Sequence, residues 1–185
     1  MDRKILELST EKELKIFMDP LRQRMLRTMA VIGKPVTAKK LSDAMKITPA
    51  AAKHHLLRLE SIGLVGVDHT EEIHGITATY YALLPVDVRL GMEKEMHRKE
   101  KSLLAENMVR SIFEAFCKKI YAHPEKTEYL PFAGDLLTGV VHLRQEEADR
   151  LGQLILQFIR EHDTPAEGTV PFEYALITYN AEEDR

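Results

Sequence analysis

The stretch TPAAAKHHLLRLESIGLV, residues 48–65, places three alanines, a lysine and two histidines ahead of a leucine-rich run. Thr48 and Pro49 are residue types that begin helices, so the small and basic residues fall in the first turns. Alanine is the best helix former, and an ordinary surface helix would explain the stretch. The alternative is that small side chains let a bulky, negatively charged partner come close to the positive end of this helix.

The distribution of charge along the chain favours the second interpretation. The 185 residues carry a net charge of −3, but residues 20–60 hold nine basic side chains against two acidic ones. Residues 131–185, in contrast, hold four basic and eleven acidic side chains. Because the basic residues surround the small ones, they indicate a polyanionic partner for this part of the chain, whereas the acidic part should avoid phosphates.

Composition excludes several classes of protein. With 44% hydrophobic and 30% charged residues, the chain is typical of a folded globular protein. It has no apolar run of roughly 18 residues and no apolar N-terminal segment, so we expect neither a membrane span nor a secretory signal. Cys117 is the only cysteine, which excludes intrachain disulfides and suits a cytoplasmic protein. Phosphate-loop, H-E-x-x-H and G-x-S-x-G motifs are absent, so we expect no enzyme, no catalytic residues, no cofactor and no metal site.

Capping residues and hydrophobic periodicity predict the elements that position the stretch. The N-terminal half gives four helices, and in the third of them Leu41, Ala44 and Met45 should point inward. The predicted helices cover 11–18, 20–32, 38–45 and 49–61, with N-caps at Thr10, Asp19, Thr37 and Thr48. Two strands follow, about 64–69 and 76–83, joined by a polar turn that contains Gly75. Two helices joined by a short turn and followed by a hairpin predict a winged helix-turn-helix.

Over residues 10–84 the chain resembles the winged helix-turn-helix of ArsR-type bacterial transcriptional regulators. The resemblance rests on the Asp-Pro start of DPLRQRMLRTM, the small-residue helix that contains His55 and Leu56, the exit LESIGLV, and the tyrosines of GITATYYAL. It implies a homodimer that binds operator DNA and releases it when an effector binds, which favours a repressor. A protein-interaction module with the same fold but without DNA binding is the alternative.

The docking geometry of such proteins assigns roles to the candidate residues, because the second helix of the motif enters the major groove. Ala50 and Ala51 would allow close approach, Lys53 and His54 would contact base edges, and the other candidates would contact phosphates. The candidate DNA-binding residues are Lys39, Lys40, Thr48, Ala50, Ala51, Lys53, His54 and Arg58. We interpret His55 as a partly buried, hydrogen-bonded residue; the alternative is that it contacts DNA. Acidic Glu71 and Glu72 at the hairpin tip argue against strong phosphate contact there.

The rest of the chain is expected to contain a long dimerisation helix, about 88–121, and a small α+β unit. That unit would hold a strand near 137–143, a helix over 145–161 and a last strand over 172–179. The expected fold is therefore mainly α with a small amount of β, in three parts: 1–85, 86–122 and 123–185. Nine of the twelve aromatic residues follow position 110. We interpret them as core and dimer interface; the alternative is a pocket for a small uncharged or cationic organic effector.

Overall fold

The computed structural model of the chain describes residues 3–73, 75–89, 97–121 and 134–182. These residues are mainly helical with a small amount of sheet, as predicted, and the chain divides into two compact units, Met1–Ser102 and Leu103–Arg185. None of the described helices is long and apolar enough to cross a membrane. In chain order the elements are β1 (Lys4–Glu7), α1 (Glu11–Phe17), α2 (Pro20–Ile32), β2 (Val36–Thr37), α3 (Ala38–Met45), α4 (Pro49–Glu60), β3 (Val65–Ile73), β4 (Ile76–Leu83), β5 (Val86–Arg89), α5 (Arg98–Tyr121) and α6 (Gln145–Glu161).

The first four helices begin at the residues that the sequence predicts as caps. The Thr10 hydroxyl accepts the backbone N–H of Glu13, whose carboxylate accepts the N–H of Thr10, and this completes a capping box. Asp19, Thr37 and Thr48 cap α2, α3 and α4, each accepting at least one backbone N–H of the first turn. The caps therefore set where each helix begins and which residues lie in its first turn.

The core of the first unit is built around the inner face of α4. Ala52, Leu56 and Leu59 are completely buried on this face, as are Met25 of α2 and Leu41 of α3. The spacing of the three α4 residues follows the helical period of 3.6, so they form one continuous apolar stripe. α4 packs against α1, α2 and α3 through this stripe, which leaves its opposite face exposed.

α3 differs from the sequence prediction at one inward position. Leu41 and Met45 are buried as expected, but Ala44 is exposed and Ser42 is buried in its place. Burial of this polar residue is tolerated because its hydroxyl donates a hydrogen bond of 2.7 Å to the carbonyl of Lys39, one turn earlier.

The hairpin after α4 is longer than predicted. β3 and β4 are antiparallel, and β2 joins them in a sheet of order β2–β4–β3. β3 runs to Ile73, so Glu71 and Glu72 lie within a paired strand opposite Ala78 and Thr77. Gly75 has a φ of 77°, a left-handed conformation that suits the tight turn expected at this position. The two glutamates therefore lie along the ladder, and not in the turn.

A second small sheet was missed in the sequence. β1 pairs in parallel with β5, with Lys4 opposite Val86, and Arg3 Nη1 donates to Asp87 Oδ1 at 3.4 Å. The helix predicted over 88–121 is therefore wrong at its start, where residues 88 and 89 are strand and the described helix begins at Arg98. The alternation of Val86 and Val88 with charged neighbours has the period of a strand and fits this pairing. Residues 90–96 lie outside the described part of the chain.

Beyond α5, the described residues of the second unit contain the helix predicted over 145–161 but neither predicted strand. α6 covers Gln145–Glu161, as expected, whereas residues 137–143 and 172–179 have no regular secondary structure. A strand is part of a ladder, and neither segment belongs to either of the sheets that the described residues form. The two strands of the α+β prediction are therefore not formed at these positions of the single chain.

The aromatic residues of the second unit do not fill a core in the single chain. Beyond Leu104 no described residue is buried, and Phe158, Phe172 and Tyr179 are each more than half exposed. The two further aromatic residues expected in this part, Tyr129 and Phe132, lie outside the described residues.

Truncation of the α4 stripe should destabilise the first unit strongly. Leu56→Ala removes a completely buried side chain, and we expect the free energy of unfolding to fall by about 2–5 kcal/mol. Leu57→Ala is the matched control on the same helix, because Leu57 is 46% exposed and its loss should cost under about 1 kcal/mol. Urea unfolding followed by far-UV circular dichroism measures both. Equal losses would contradict the assignment of inner and outer faces.

Candidate nucleic-acid interface

The outer face of α4 carries small and basic residues. Because Ala52, Leu56 and Leu59 point into the core, the residues between them lie on the solvent side. Ala51 is half-buried, and the other predicted contact residues of this helix are exposed: Thr48, Ala50, Lys53, His54 and Arg58. The structure therefore brings all six of these candidates to one helix, with all but Ala51 accessible to a partner.

The start of α4 combines a cap with short side chains. Thr48 Oγ1 accepts the backbone N–H of Ala51 at 3.2 Å, and Pro49 at the first helical position has no N–H to satisfy. Ala50, next to it, is exposed and has no side chain beyond Cβ. An anion or a groove edge can therefore come close to the positive end of the helix without steric obstruction.

Leu57 belongs to the same outer face and was missed in the sequence analysis. It is 46% exposed and lies four residues after Lys53, so the two side chains are neighbours on the helix. The leucine-rich run conceals it, but its position outside the 52, 56, 59 stripe is a signal that could have identified it. An exposed leucine beside a lysine can contact an apolar group such as a thymine methyl.

A basic hollow adjoins this face. It has a volume of about 400 Å³ and lies between α1, α2 and α4. Its lining residues are Glu11, Lys12, Lys15, Ile16, Arg22, His54 and Arg58. Sequence reasoning identified His54 and Arg58 but missed Lys12 and Lys15, because the proximity of α1 to α4 arises only from tertiary packing. Lys15 forms an ion pair with Glu11 in the preceding turn, which reduces the net positive charge of the hollow.

Arg22 lines the hollow and contacts residues of both α1 and α4. Its guanidinium donates to the carbonyls of Ile16 and Lys15 in α1, and Nη2 lies 3.4 Å from the Asp19 carboxylate. Nη1 of the same group lies 3.3 Å from Nδ1 of His55 in α4. Since arginine only donates, a hydrogen bond at this contact requires His55 Nδ1 to be the acceptor. Arg22 therefore positions three helices and is already engaged with protein partners.

His55 is half-buried and titrates abnormally for a physical reason that the structure supplies. Burial lowers the pKa of His55 below the ordinary histidine value, because the charged ring would lose hydration. The Asp19 carboxylate opposes this effect, while the Arg22 guanidinium and the adjacent His54 add to the lowering. His55 is thus part of the native packing, and its surroundings disfavour the charged form of its ring.

Lys39 and Lys40 lie exposed in the first turn of α3. Lys39 Nζ is 2.5 Å from Asp43 Oδ1, one turn later on the same helix. Because both side chains are exposed, this pair contributes little to stability and can exchange for a phosphate contact at small cost. Both lysines are therefore accessible charges at the positive end of α3.

The hairpin carries the opposite charge. β3 and β4 contain no lysine or arginine, whereas Asp68, Glu71 and Glu72 follow one another along β3. His69 stacks on Tyr80 with ring centroids 4.4 Å apart, and its Nδ1 lies 2.6 Å from the Asp68 carboxylate. A hydrogen bond with Glu71 raises the pKa of the Tyr80 hydroxyl. The side chains of these two strands therefore carry a net negative charge.

Comparison with protein-family models gives no match for the chain, and comparison with curated proteins also gives none.

The stability of the protein should fall as the pH drops below about 6.5 because of His55. In that range the unfolded chain binds a proton at this residue more readily than the native state does, so acid favours unfolding. His55→Gln should flatten this part of the pH profile, measured by urea unfolding between pH 5 and pH 8. His54→Gln, at the exposed neighbouring position, is the control and should keep the decline. An unchanged slope in His55→Gln would contradict the assignment.

Proposed function

We propose that the chain is a sequence-specific DNA-binding transcriptional regulator, a repressor that acts as a homodimer with α4 in the major groove. The observation that carries the proposal is the exposed face of α4, where small residues at the capped start are followed by Lys53, His54 and Arg58. In this interpretation α3 and α4, joined by a three-residue turn, form a helix-turn-helix, and β3 and β4 form its wing.

Phosphate contacts would surround the recognition helix. Arg58 and His54 border the hollow that Lys12 and Lys15 also line, so one edge of α4 adjoins further positive charge from α1. Lys39 and Lys40 carry positive charge at the start of α3, the helix that crosses the backbone in this docking geometry. Contacts to phosphates supply affinity and fix the register, whereas contacts to base edges supply specificity.

The acidic hairpin is the observation that favours the alternative function, a protein-interaction module of the same fold. A wing with Asp68, Glu71 and Glu72 and no lysine or arginine lacks the charge to hold DNA. We give DNA binding precedence because α3 and α4 together expose Lys39, Lys40, Lys53 and Arg58. In the proposed complex the hairpin would therefore lie away from the phosphates, and two recognition helices would lie about 34 Å apart on successive major grooves.

Selection of bound sequences from random DNA by the full-length protein tests the proposal directly. We expect enrichment of a two-fold symmetric site, and no enrichment over the input library would favour the interaction module. Lys53→Ala and His54→Ala should relax the preference at individual base pairs by about 5- to 150-fold, because each removes a base contact. Both side chains are exposed, so the folded fraction should not change. Unchanged base preference in both variants would overturn the assigned face.

Arg58→Ala should weaken binding to all sequences about equally. Loss of one phosphate contact should reduce the slope of log affinity against log salt concentration by about 1, measured by fluorescence anisotropy at several salt concentrations. Arg150→Ala is the matched control, because Arg150 is an exposed arginine on α6, outside the basic segment. A change of equal size in the control would indicate a general effect of net charge, and not a contact.

A further inference from the structure

The second unit exposes many of its large apolar side chains. Fifteen large apolar side chains between positions 136 and 179 are at least 40% exposed, among them Leu137 at 96% and Tyr179 at 81%. At about 100 Å² each, they present roughly 1,500 Å² of apolar surface. A stable interface requires about 800 Å² from each partner. This surface is therefore large enough to form a stable interface.

Two segments of this unit have the composition of strands but no strand partner. Residues 137–143 and 175–179 contain no charged lysine, arginine, aspartate or glutamate, and they are rich in leucine, valine, isoleucine and tyrosine. Within the described part of the chain, the backbone groups of these two segments form no hydrogen bond. A disordered tail is typically polar and charged, so this composition indicates segments that pair when a neighbour is present.

α6 supplies a matching apolar layer. Leu151, Leu154, Ile155 and Phe158 lie on one side of the helix at helical spacing, and none of them is buried. Glu146, Asp149, Arg150 and Arg160 lie away from this side, whereas Glu147 and Glu161 lie at its two ends, in line with the apolar residues. Beyond α5, which contributes residues 103–121 to this unit, the described residues thus comprise one amphipathic helix and two segments that could form a sheet beneath it, and none of their side chains is buried.

We propose that a second copy of this chain covers this surface, with residues 137–143 and 175–179 pairing as β-strands between the two copies under the two α6 helices. Two copies supply four strands, and a sheet of three or more strands with a helical layer is the smallest arrangement that is stable by itself. A two-fold axis places the same segments of the two copies next to each other, so each copy provides hydrogen-bond partners for the backbone groups of the other.

The net charge of the unit is consistent with this choice of partner. Residues 134–182 contain nine acidic and three basic residues, yet the segments that would pair contain none of them. A basic partner protein would be attracted to the acidic side of the unit and would leave the uncharged segments exposed. A copy of the chain matches those segments in composition and in length. The inference rests on the second unit alone and does not require that the first unit binds DNA.

Amide hydrogen exchange and solution mass of the full-length protein test the inference together. We expect a dimeric mass at micromolar concentration and slow exchange of the backbone amides of 137–143 and 175–179. The double variant Leu151→Lys/Phe158→Lys should raise the dimer dissociation constant by about 30-fold or more and should restore fast exchange in both segments. Gln153→Lys is the matched control, because it adds the same residue to the polar side of α6 with a similar helix propensity and should change neither measurement.

Three results would overturn the inference. One is a monomeric wild-type protein at micromolar concentration. Another is a dimer in which both segments exchange as fast as an unstructured peptide, since that dimer would be formed by other parts of the chain. The third is a double variant that remains dimeric with protected segments. None of these results depends on DNA, and enrichment of a DNA site by a protein with unprotected segments would retain the proposed function and reject this interface.

Discussion

Burial of one side of α4 is the constraint on which the rest of the first unit depends. Ala52, Leu56 and Leu59 can all reach the core only if the helix has a single rotational setting, and the Thr48 cap fixes where that helix begins. This setting determines which α4 residues face the solvent, namely those outside the 52, 56, 59 stripe. Polar contacts of Arg22 supplement this apolar packing. Its guanidinium donates to backbone carbonyls of α1 and contacts His55 on α4, and so fixes the position of these helices relative to α2.

The two units distribute apolar residues in opposite ways. In the first unit buried residues come from all four N-terminal helices and from the sheet, whereas beyond Leu104 no described side chain is buried. Similar residue types are thus inside the protein in one unit and on its surface in the other. The difference lies in the elements that each unit brings together, since four helices and a three-stranded sheet enclose a core, whereas α5, α6 and two segments outside any described sheet bury no described side chain beyond Leu104.

Local signals predicted most of the first unit and failed wherever distant residues decide the structure. Thr10, Asp19, Thr37 and Thr48 could be recognised because a cap and its helix are adjacent in the chain. The β1–β5 pairing and the convergence of Lys12 with Arg58 escaped prediction, because nothing in the local sequence specifies which distant segment becomes a neighbour. The prediction for residues 137–143 failed for the opposite reason. Their local pattern is that of a strand, but they do not pair with another strand in the single chain.

The β1–β5 ladder has a consequence for the order of folding. Arg3 and Asp87, which meet beside it, are 84 residues apart, and closing a flexible loop of that size costs about 4 kcal/mol or more in chain entropy. A parallel ladder of four residue pairs cannot offset this cost from an unfolded chain. It forms only after the helices and the hairpin have brought its ends together. We therefore expect it to be the last contact of the first unit to close, and its closure reports that everything between its two strands is already native.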